Sequence, residues 1–218
     1  MTAPVKPCNA AVRDTYHHGH LREALVQAAL DLIEEQGLEA LSVREVARRA
    51  GVSPGAPFRH FANRTALLTA VAEQAGQRLH DAVDAALARS SSQPPIDRLA
   101  ALGAAYLRWA RENPLHFRIV SDRALIDYEG SNSLRTQNAA IREHMRALLL
   151  AHGSSAMGRD AIEARLLAAR ALVYGLARMA ADGHLAEWSG QSHPDQAQAA
   201  ALKVLIDAIS AQAPETRT

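Results

Sequence analysis

Residues 42–61 read SVREVARRAGVSPGAPFRHF, and this stretch decides the fold of the N-terminal part of the chain. Ser42 and Glu45 form an S-x-x-E pattern, in which each side chain accepts a hydrogen bond from the other residue's backbone N–H at the start of a helix. The next apolar residues recur with helical spacing and share one face: Val43, Val46, Ala47 and Ala50. The pattern predicts a short helix that begins after Ser42 and ends at Gly51.

Two prolines stand three residues apart in the second half of this stretch. If Ser53 caps a helix, Pro54 takes the first helical position, where a missing N–H has no intrahelical partner. Pro57 then removes one hydrogen bond further along, and it disfavours α geometry at the preceding Ala56. We therefore expect a second helix whose first turn is loosened, also by Gly55, and which is regular only from about Pro57.

The residues before this stretch complete a three-helix unit. Apolar residues from Leu21 to Ile33 recur at helical spacing, and Gly37 follows where a helix C-terminus favours positive φ. Two short helices joined by a glycine-containing turn, with another helix in front, form a helix-turn-helix. Ala47, Gly51 and Pro57 have the spacing of the small crossing residue, the turn residue and the inward-facing apolar residue of such a unit.

Basic residues are concentrated in the same region. Residues 44–64 hold five arginines and one acidic residue, Glu45, while the formal net charge of the whole chain is only +1. A local cationic patch on a nearly neutral protein suits a small nucleic-acid contact surface. Charge alone fits a solvated arginine face equally well. Lys6 and Arg13 in the N-terminal arm could contact the minor groove, the alternative being an arm without DNA contacts.

The composition indicates an all-α protein of 218 residues, rich in Ala, Leu and Arg, with 4% aromatic residues and one cysteine, Cys8. The N-terminus lacks an apolar signal-peptide segment and no stretch is as apolar as a membrane helix, so we expect a cytoplasmic protein without membrane contact. Further helices are predicted over 63–89, 96–111, 115–125, 134–152, 160–181 and 194–212. The expected organisation is a flexible arm (1–16), a helix-turn-helix domain (17–63), a connecting helix (64–89) and, after the break SSSQPP, a second helical domain (90–218).

The segment from His20 to Leu79, centred on SVREVARRAGVSPGAPFRHFANRTALLTAV, resembles the DNA-binding domain of the TetR family of bacterial transcriptional regulators. The resemblance implies a homeodomain-like helix-turn-helix, a homodimer, a helical C-terminal domain that binds a small-molecule effector, and repression that the effector releases. The chain departs from the family pattern at Ala56, Pro57, Phe58 and Arg64. Ala56 and Phe58 replace residues with hydroxyl groups that could contact phosphates, whereas Arg64 keeps a positive charge.

The resemblance assigns DNA contacts on a palindromic operator to residues on and near the second helix. These residues are Arg44, Ser53, Pro54, Gly55, Ala56, Phe58, Arg59, His60 and Arg64. Arg59 can donate two hydrogen bonds to a guanine, with a phosphate contact or solvent exposure as the alternatives. Arg44, Phe58, His60 and Arg64 are expected near phosphates, which supply affinity and register without reading sequence.

The C-terminal half resembles, more weakly, a TetR subgroup with a Trp-His-Gly-type C-terminal domain, through WARENPLHFRIV (109–120), Tyr174-Gly175 and the opening YHHGHLREAL (16–25). The candidate effector-binding residues are Tyr106, Trp109, His116, Phe117, Tyr128, His144 and Met145. At helical spacing each of these residues is more often an ordinary core residue, and the effector is expected to be small and largely apolar. The last two long helices are predicted to form a dimer through a four-helix bundle. Their small and apolar faces consist of Ala164, Ala168, Ala171 and Gly175 on the first helix, and Ala199, Ala200, Leu202, Val204 and Ile206 on the second.

Metal binding, enzyme activity and a purely structural role are the alternatives to DNA binding. His17, His18 and His20 could chelate a metal, but no carboxylate or cysteine cluster in the sequence joins them, so we expect neither a metal nor a cofactor. The sequence shows no phosphate-binding loop, nucleophile–histidine pattern or paired-carboxylate motif, so an enzyme is not expected. A purely structural helical adaptor is the other alternative, and it would not need an arginine-lined turn.

Overall fold

The structure, a computed structural model, describes residues 20–153, 158–189 and 193–211. In these ranges the chain forms nine α-helices and two 3₁₀ turns, with no β-strand. The all-α prediction is therefore confirmed. The chain divides into two compact units, of which the first ends at His60 and the second begins at Phe61. The histidines at positions 17 and 18 and the N-terminal arm lie outside the described residues.

The first unit contains α1 (Leu21–Gln36), a 3₁₀ turn (Leu38–Ala40), α2 (Val43–Arg49) and a second 3₁₀ turn (Pro57–Arg59). α1 buries its apolar face completely at Leu25, Ala29 and Leu32, and it packs against α2. The helix ends as predicted at Gly37, whose φ of +84° is a conformation that side chains other than glycine rarely adopt.

The second unit contains the remaining seven described helices. They are α3 (Arg64–Arg89), α4 (Pro95–Glu112), α5 (Pro114–Ser121), α6 (Asn132–Ala151), α7 (Arg159–Ala181), α8 (Leu185–Ser189) and α9 (Pro194–Ala211). The Asn63 side chain caps α3 as predicted, because its Oδ1 accepts a hydrogen bond from the Ala66 N–H at 2.9 Å. The helix bounds agree with the predicted ones within three residues except that α5 ends four residues earlier and α8 was not predicted.

The SSSQPP break is a turn between α3 and α4. The two helices pack against each other, and apolar residues of α3 from Ala75 to Leu87 belong to the same core as those of α4. The structure places the division between units at residues 60 and 61, so the connecting helix belongs to the second unit.

An aromatic cluster lies in the core of the second unit. Phe117 on α5 is 1% exposed, and its ring packs edge-on against Tyr106 of α4, with ring centroids 6.4 Å apart. Tyr174 of α7 contacts the same phenylalanine with centroids 6.2 Å apart. Such aromatic contacts contribute beyond the area that they bury. Phe117 of α5 therefore stabilises the packing of α5 against both α4 and α7.

The approach of α9 to α4 requires a small residue at position 103. A Cβ built on Gly103 would lie 3.0 Å from Leu202 Cδ1 and 3.6 Å from Val173 Cγ1. Glycine at this position lets α9 pack closely on α4, whereas the distance to Val173 of α7 would be an ordinary van der Waals contact. None of the described helices has the length and apolarity needed to span a membrane.

Candidate functional site

The N-terminus of α2 is capped by Ser42. Its hydroxyl accepts a hydrogen bond from the Glu45 N–H at 3.1 Å, which satisfies one of the free N–H groups at the helix start. The second hydrogen bond of the predicted capping box, from the Ser42 N–H to the Glu45 carboxylate, was predicted wrongly. The Glu45 carboxylate instead accepts a hydrogen bond from Arg48 Nε at 3.0 Å. An arginine three residues along the same helix face offers a charge-assisted bond, which is stronger than a neutral one.

The turn after α2 is a Schellman motif built around Gly51. The Val52 N–H donates to the Ala47 carbonyl at 3.0 Å and the Gly51 N–H donates to the Arg48 carbonyl at 3.2 Å. Gly51 has a φ of +69°, as the turn requires. Ala47 is fully buried and Pro57 is buried, so all three positions play the roles that the helix-turn-helix spacing predicts.

The segment that follows is not an α-helix. Residues 57–59 form one 3₁₀ turn, in which the Arg59 N–H donates to Ala56 and the His60 N–H to Pro57, each three residues back. The loosened start was predicted correctly, but the expectation of regular helix from Pro57 onward is wrong. Pro57 takes the first position of this turn, where its missing N–H has no partner, and thus fills the role predicted for Pro54.

Ala56 also departs from expectation. It stays in the right-handed helical region, with φ −60° and ψ −43°, although a proline follows it. Its N–H donates to the Ser53 carbonyl at 3.0 Å, and this turn fixes a conformation that the following proline disfavours but does not forbid. No helix begins at Pro54, so Ser53 does not act as the predicted N-cap.

Most of the predicted DNA-contact residues are exposed on the first unit. The exposed ones are Arg44, Ser53, Pro54, Gly55, Phe58, Arg59 and His60, and Ala56 is half-buried. Phe58 is 46% exposed and is one of the few large apolar side chains at the surface. Arg64 is half-buried in the first turn of α3 and belongs to the second unit. Contact of these residues with DNA stays a prediction.

Two of the five arginines in the basic region are engaged by acidic residues of the same unit. Arg49 Nη1 donates to Glu35 Oε2 of α1 at 2.7 Å, and Arg48 pairs with Glu45. These hydrogen bonds hold the pKa values of the Glu35 and Glu45 carboxyls below their usual range. Within the described part of the chain, Arg44 and Arg59 form no ion pair with an acidic side chain.

The second unit contains three cavities that share lining residues and lie among α3, α4, α6 and α7. The largest of them, about 380 Å³, opens between α3, α6 and α7, and two smaller ones of about 30 Å³ and 60 Å³ continue it towards α4. Arg170 and Ile141 line all three. The three cavities therefore lie next to one another around Arg170, and their mainly apolar lining with a few polar groups is the usual character of a small-molecule pocket.

Arg170 is held in the cavity by aromatic rings. Its guanidinium carbon lies 4.8 Å from the ring centroid of Tyr106 and 5.5 Å from that of Tyr174. Burial raises the pKa of the Tyr106 hydroxyl, and the neighbouring Arg170 charge partly opposes this. No acidic side chain among the described residues pairs with Arg170. A half-buried guanidinium with this surrounding can bind an anionic group.

The structure separates the candidate effector residues into three groups. Tyr106, Tyr128 and Met145 line the cavities, whereas Trp109 and Phe117 are core residues. His116 accepts a hydrogen bond at Nε2 from Arg78 at 3.2 Å, and His144 pairs with Asp84. Burial, together with the Arg78 charge, lowers the pKa of His116. Neither histidine lines the three cavities around Arg170.

Arg170 was not among the effector-binding residues predicted from the sequence. The signal was present, because Arg170 stands between buried Leu166, Ala169 and Val173 on the inner face of α7. An arginine on the apolar face of an amphipathic helix marks either a buried ion pair or a ligand-binding cation.

The long helices α7 and α9 leave apolar side chains at the surface. Leu167 on α7 and Val204 on α9 are each 70% exposed. Small residues flank them on the exposed faces: Ala164, Ala168, Ala171, Ala199 and Ala200. Leu202 and Ile206, also assigned to the dimer face from the sequence, are instead buried inside the unit.

Two family models match this chain. Residues 25–71 match the model of bacterial regulatory proteins of the tetR family, which spans α1, α2, the Gly51 turn and the start of α3. Residues 99–209 match the tetracyclin repressor-like C-terminal domain, which by itself is more than half of the chain. The chain belongs to the TetR family. The family assignment predicted from residues 20–79 is therefore confirmed.

Individual relatives of known sequence or structure agree with the TetR assignment. The HTH-type transcriptional regulator BetI of Rhizobium meliloti is 40% identical over 81 residues, and the match spans 37% of this chain and 39% of that protein. A protein with unknown function from Rhodococcus sp. RHA1 has 29% identity and a TM-score of 0.70 over 90% of this chain and 99% of its own. A transcriptional regulator from the same Rhodococcus has 29% identity and a TM-score of 0.61, covering 90% and 100% of the two chains.

Proposed function

We propose that this protein is a sequence-specific DNA-binding transcriptional regulator, a homodimeric repressor released from a palindromic operator by a small-molecule effector. The observation that carries the proposal is the helix-turn-helix unit. Its crossing residue Ala47, its Gly51 turn and its buried Pro57 hold Arg59 at the surface, where no acidic side chain of the described residues pairs with it. The likeness to a transcriptional regulator of Rhodococcus over nine tenths of the chain supports it.

Arg59 is the proposed base reader. It ends the 3₁₀ turn that the buried ring of Pro57 anchors, and its side chain is exposed. An arginine can donate two hydrogen bonds to O6 and N7 of guanine in the major groove. Arg44, Phe58, His60 and Arg64 are proposed at phosphates, and Ser53, Pro54, Gly55 and Ala56 bring the backbone close to the groove.

Replacing Arg64 with alanine is expected to weaken binding to operator and non-operator DNA to a similar degree. If Arg64 neutralises one phosphate, its loss reduces the slope of log K against log salt by about one per subunit. The measurement is fluorescence anisotropy with labelled duplexes at four or more salt concentrations. Arg111→Ala is the matched control, because it removes an arginine that is bonded to Asp195 at 2.6 Å within the second unit. An unchanged slope in Arg64→Ala would contradict the assignment.

The homodimer is proposed to form through α7 and α9. Leu167 and Val204 expose apolar surface on these two long helices, and the neighbouring alanines allow another helix to approach closely. Two such helices from each subunit would form a four-helix bundle. A two-fold symmetric dimer presents two identical helix-turn-helix units, and a palindromic operator has the same symmetry.

The effector site is proposed in the cavities around Arg170. Their lining is mainly apolar, with Tyr106, Ile141 and Met145 among the residues that surround the guanidinium. A ligand that matches this lining has an apolar body and one anionic group, such as a carboxylate. This refines the expectation of a largely apolar effector, because the central cation was not foreseen.

Replacing Arg170 with alanine is expected to weaken binding of an apolar anion while leaving its neutral analogue unaffected. Anilinonaphthalene sulfonate and uncharged N-phenylnaphthylamine form a suitable pair, since both carry the same aromatic framework. A hydrogen bond to a charged group contributes about 1.5–3 kcal/mol, so the sulfonate is expected to bind roughly 10- to 150-fold more weakly. Fluorescence titration of each probe measures the effect.

Arg142→Ala is the control for the Arg170 experiment. Arg142 lines the same 380 Å³ cavity, but its guanidinium donates to Glu163 at 2.6 Å. Its loss should change anion binding far less than the loss of Arg170. Equal weakening of both probes in Arg170→Ala would show a general collapse of the cavity and contradict the proposed anion contact.

A further inference from the structure

Two histidines and one aspartate form a cluster that joins α3 to α6. His80 and Asp84 stand four residues apart on α3, and the His80 Nδ1 lies 3.3 Å from Asp84 Oδ2. His144 of α6 brings its Nε2 to 3.1 Å from Asp84 Oδ1. One potential ligand atom from each residue lies within 4.8 Å of the other two. The cluster is separate from the cavities around Arg170, since none of its three residues lines them.

The spacing of these atoms suits a small divalent transition-metal ion. Zinc binds imidazole nitrogen and carboxylate oxygen at about 2.0–2.2 Å, so two ligands of a tetrahedral site lie roughly 3.3 Å apart. Both distances from histidine to Asp84 are already close to this value. A modest rotation of the two imidazoles would bring their nitrogens to a common ion, because the rings are 6.2 Å apart and the side chains are accessible from solvent.

We propose that His80, Asp84 and His144 bind one divalent transition-metal ion of the Zn²⁺ class. Imidazole and carboxylate ligands together favour Zn²⁺, Co²⁺ and Ni²⁺ over Mg²⁺ and Ca²⁺, which prefer oxygen ligands. Three protein ligands leave the fourth tetrahedral position for water. The ion would link α3 to α6 at positions next to Leu79 and Met145, which line the 380 Å³ cavity between α3, α6 and α7.

An ion-pair network without metal is the competing explanation of this cluster. In that arrangement both histidine nitrogens facing Asp84 must carry protons, and one carboxylate serves two imidazoles. In the metal site the same nitrogens present lone pairs to the ion. The two arrangements differ in a measurable way, since only the second takes up a stoichiometric ion and gains stability from it.

The test is isothermal titration of the full-length protein with Zn²⁺ in a background where His17, His18 and His20 are replaced by alanine. This background is needed because a histidine-rich run can bind metal by itself. We expect one ion per chain. His144→Ala and Asp84→Asn should each bind at least about tenfold more weakly, because even the loss of a residue that only supports a ligand costs 10- to 100-fold. His184→Ala removes an exposed histidine outside the cluster and should bind like the background.

Two further readouts accompany the titration. Co²⁺ in the background protein should give the visible absorption of a tetrahedral complex, and this absorption should be lost in His144→Ala. Zn²⁺ should raise the melting temperature of the background protein and not that of His144→Ala. Absence of stoichiometric binding in the background, or equal affinity in the background, His144→Ala and Asp84→Asn, would overturn the proposal.

Discussion

Replacing Arg59 with alanine is expected to lower the affinity of the dimer for its operator by about 2–6 kcal/mol. A bidentate contact between arginine and guanine contributes about 1–3 kcal/mol, and a symmetric dimer loses it in both half-sites. Arg59 is exposed, has no acidic partner among the described residues, and follows the buried Pro57 that anchors its turn. Its loss should also remove the preference for guanine at one position of each half-site.

The measurement is anisotropy titration of the operator and of operators altered at single positions, for the parent protein and Arg59→Ala. Arg64→Ala is the comparison, since a phosphate contact should weaken all these sequences alike. Sedimentation of both variants confirms that the dimer persists. A uniform loss of affinity in Arg59→Ala, with the sequence preference retained, would show that Arg59 contacts phosphate rather than a base.

The helix-turn-helix was predictable because its signals are local. The Ser42 cap, the positive φ of Gly51 and the apolar spacing of α1 each depend on residues within one or two turns of chain. The backbone conformation around Pro54 and Pro57 was predictable only in part. The sequence showed that Pro54 and Pro57 cannot both sit in a regular helix, but whether the helix resumes after Pro57 depends on how the buried ring packs.

The candidate site required tertiary contacts that no local pattern encodes. The carboxylate that pairs with Arg49 belongs to Glu35 of α1, which lies fourteen residues earlier in the chain. His144 pairs with Asp84, a residue sixty positions earlier in the chain. His144 was predicted as an effector-binding residue, but this contact places it in the histidine–aspartate cluster. Arg170 lies among apolar residues of α7, and its place in the cavity depends on how α3, α4 and α6 pack around it.

Replacing Phe117 with alanine is expected to lower the free energy of unfolding of the second unit by about 3–5 kcal/mol. The side chain is 1% exposed and contacts Tyr106 and Tyr174, so its removal leaves a cavity between three helices. Urea denaturation followed by tryptophan fluorescence measures the change, because Trp109 is buried in the same core.

Phe58→Ala is the matched control for Phe117→Ala. Phe58 is 46% exposed and lies in the first unit. Its loss should therefore change the free energy of unfolding reported by Trp109 by no more than about 0.5 kcal/mol. Phe117→Leu keeps most of the volume and should lose less stability than Phe117→Ala. Similar stabilities of the parent protein and Phe117→Ala would contradict the packing of the second unit described above.

The most direct test of the proposed function is selection of bound fragments from random duplex DNA with the purified full-length protein at two salt concentrations. A sequence-specific dimeric regulator should recover a palindromic motif whose half-sites are one helical turn apart, about 34–36 Å from centre to centre, or a multiple of that distance. Affinity for this motif should fall steeply between the lower and the higher salt concentration. Recovery of fragments without a common motif, with the same retention at both salt concentrations, would contradict the proposal that this protein is a sequence-specific DNA-binding regulator.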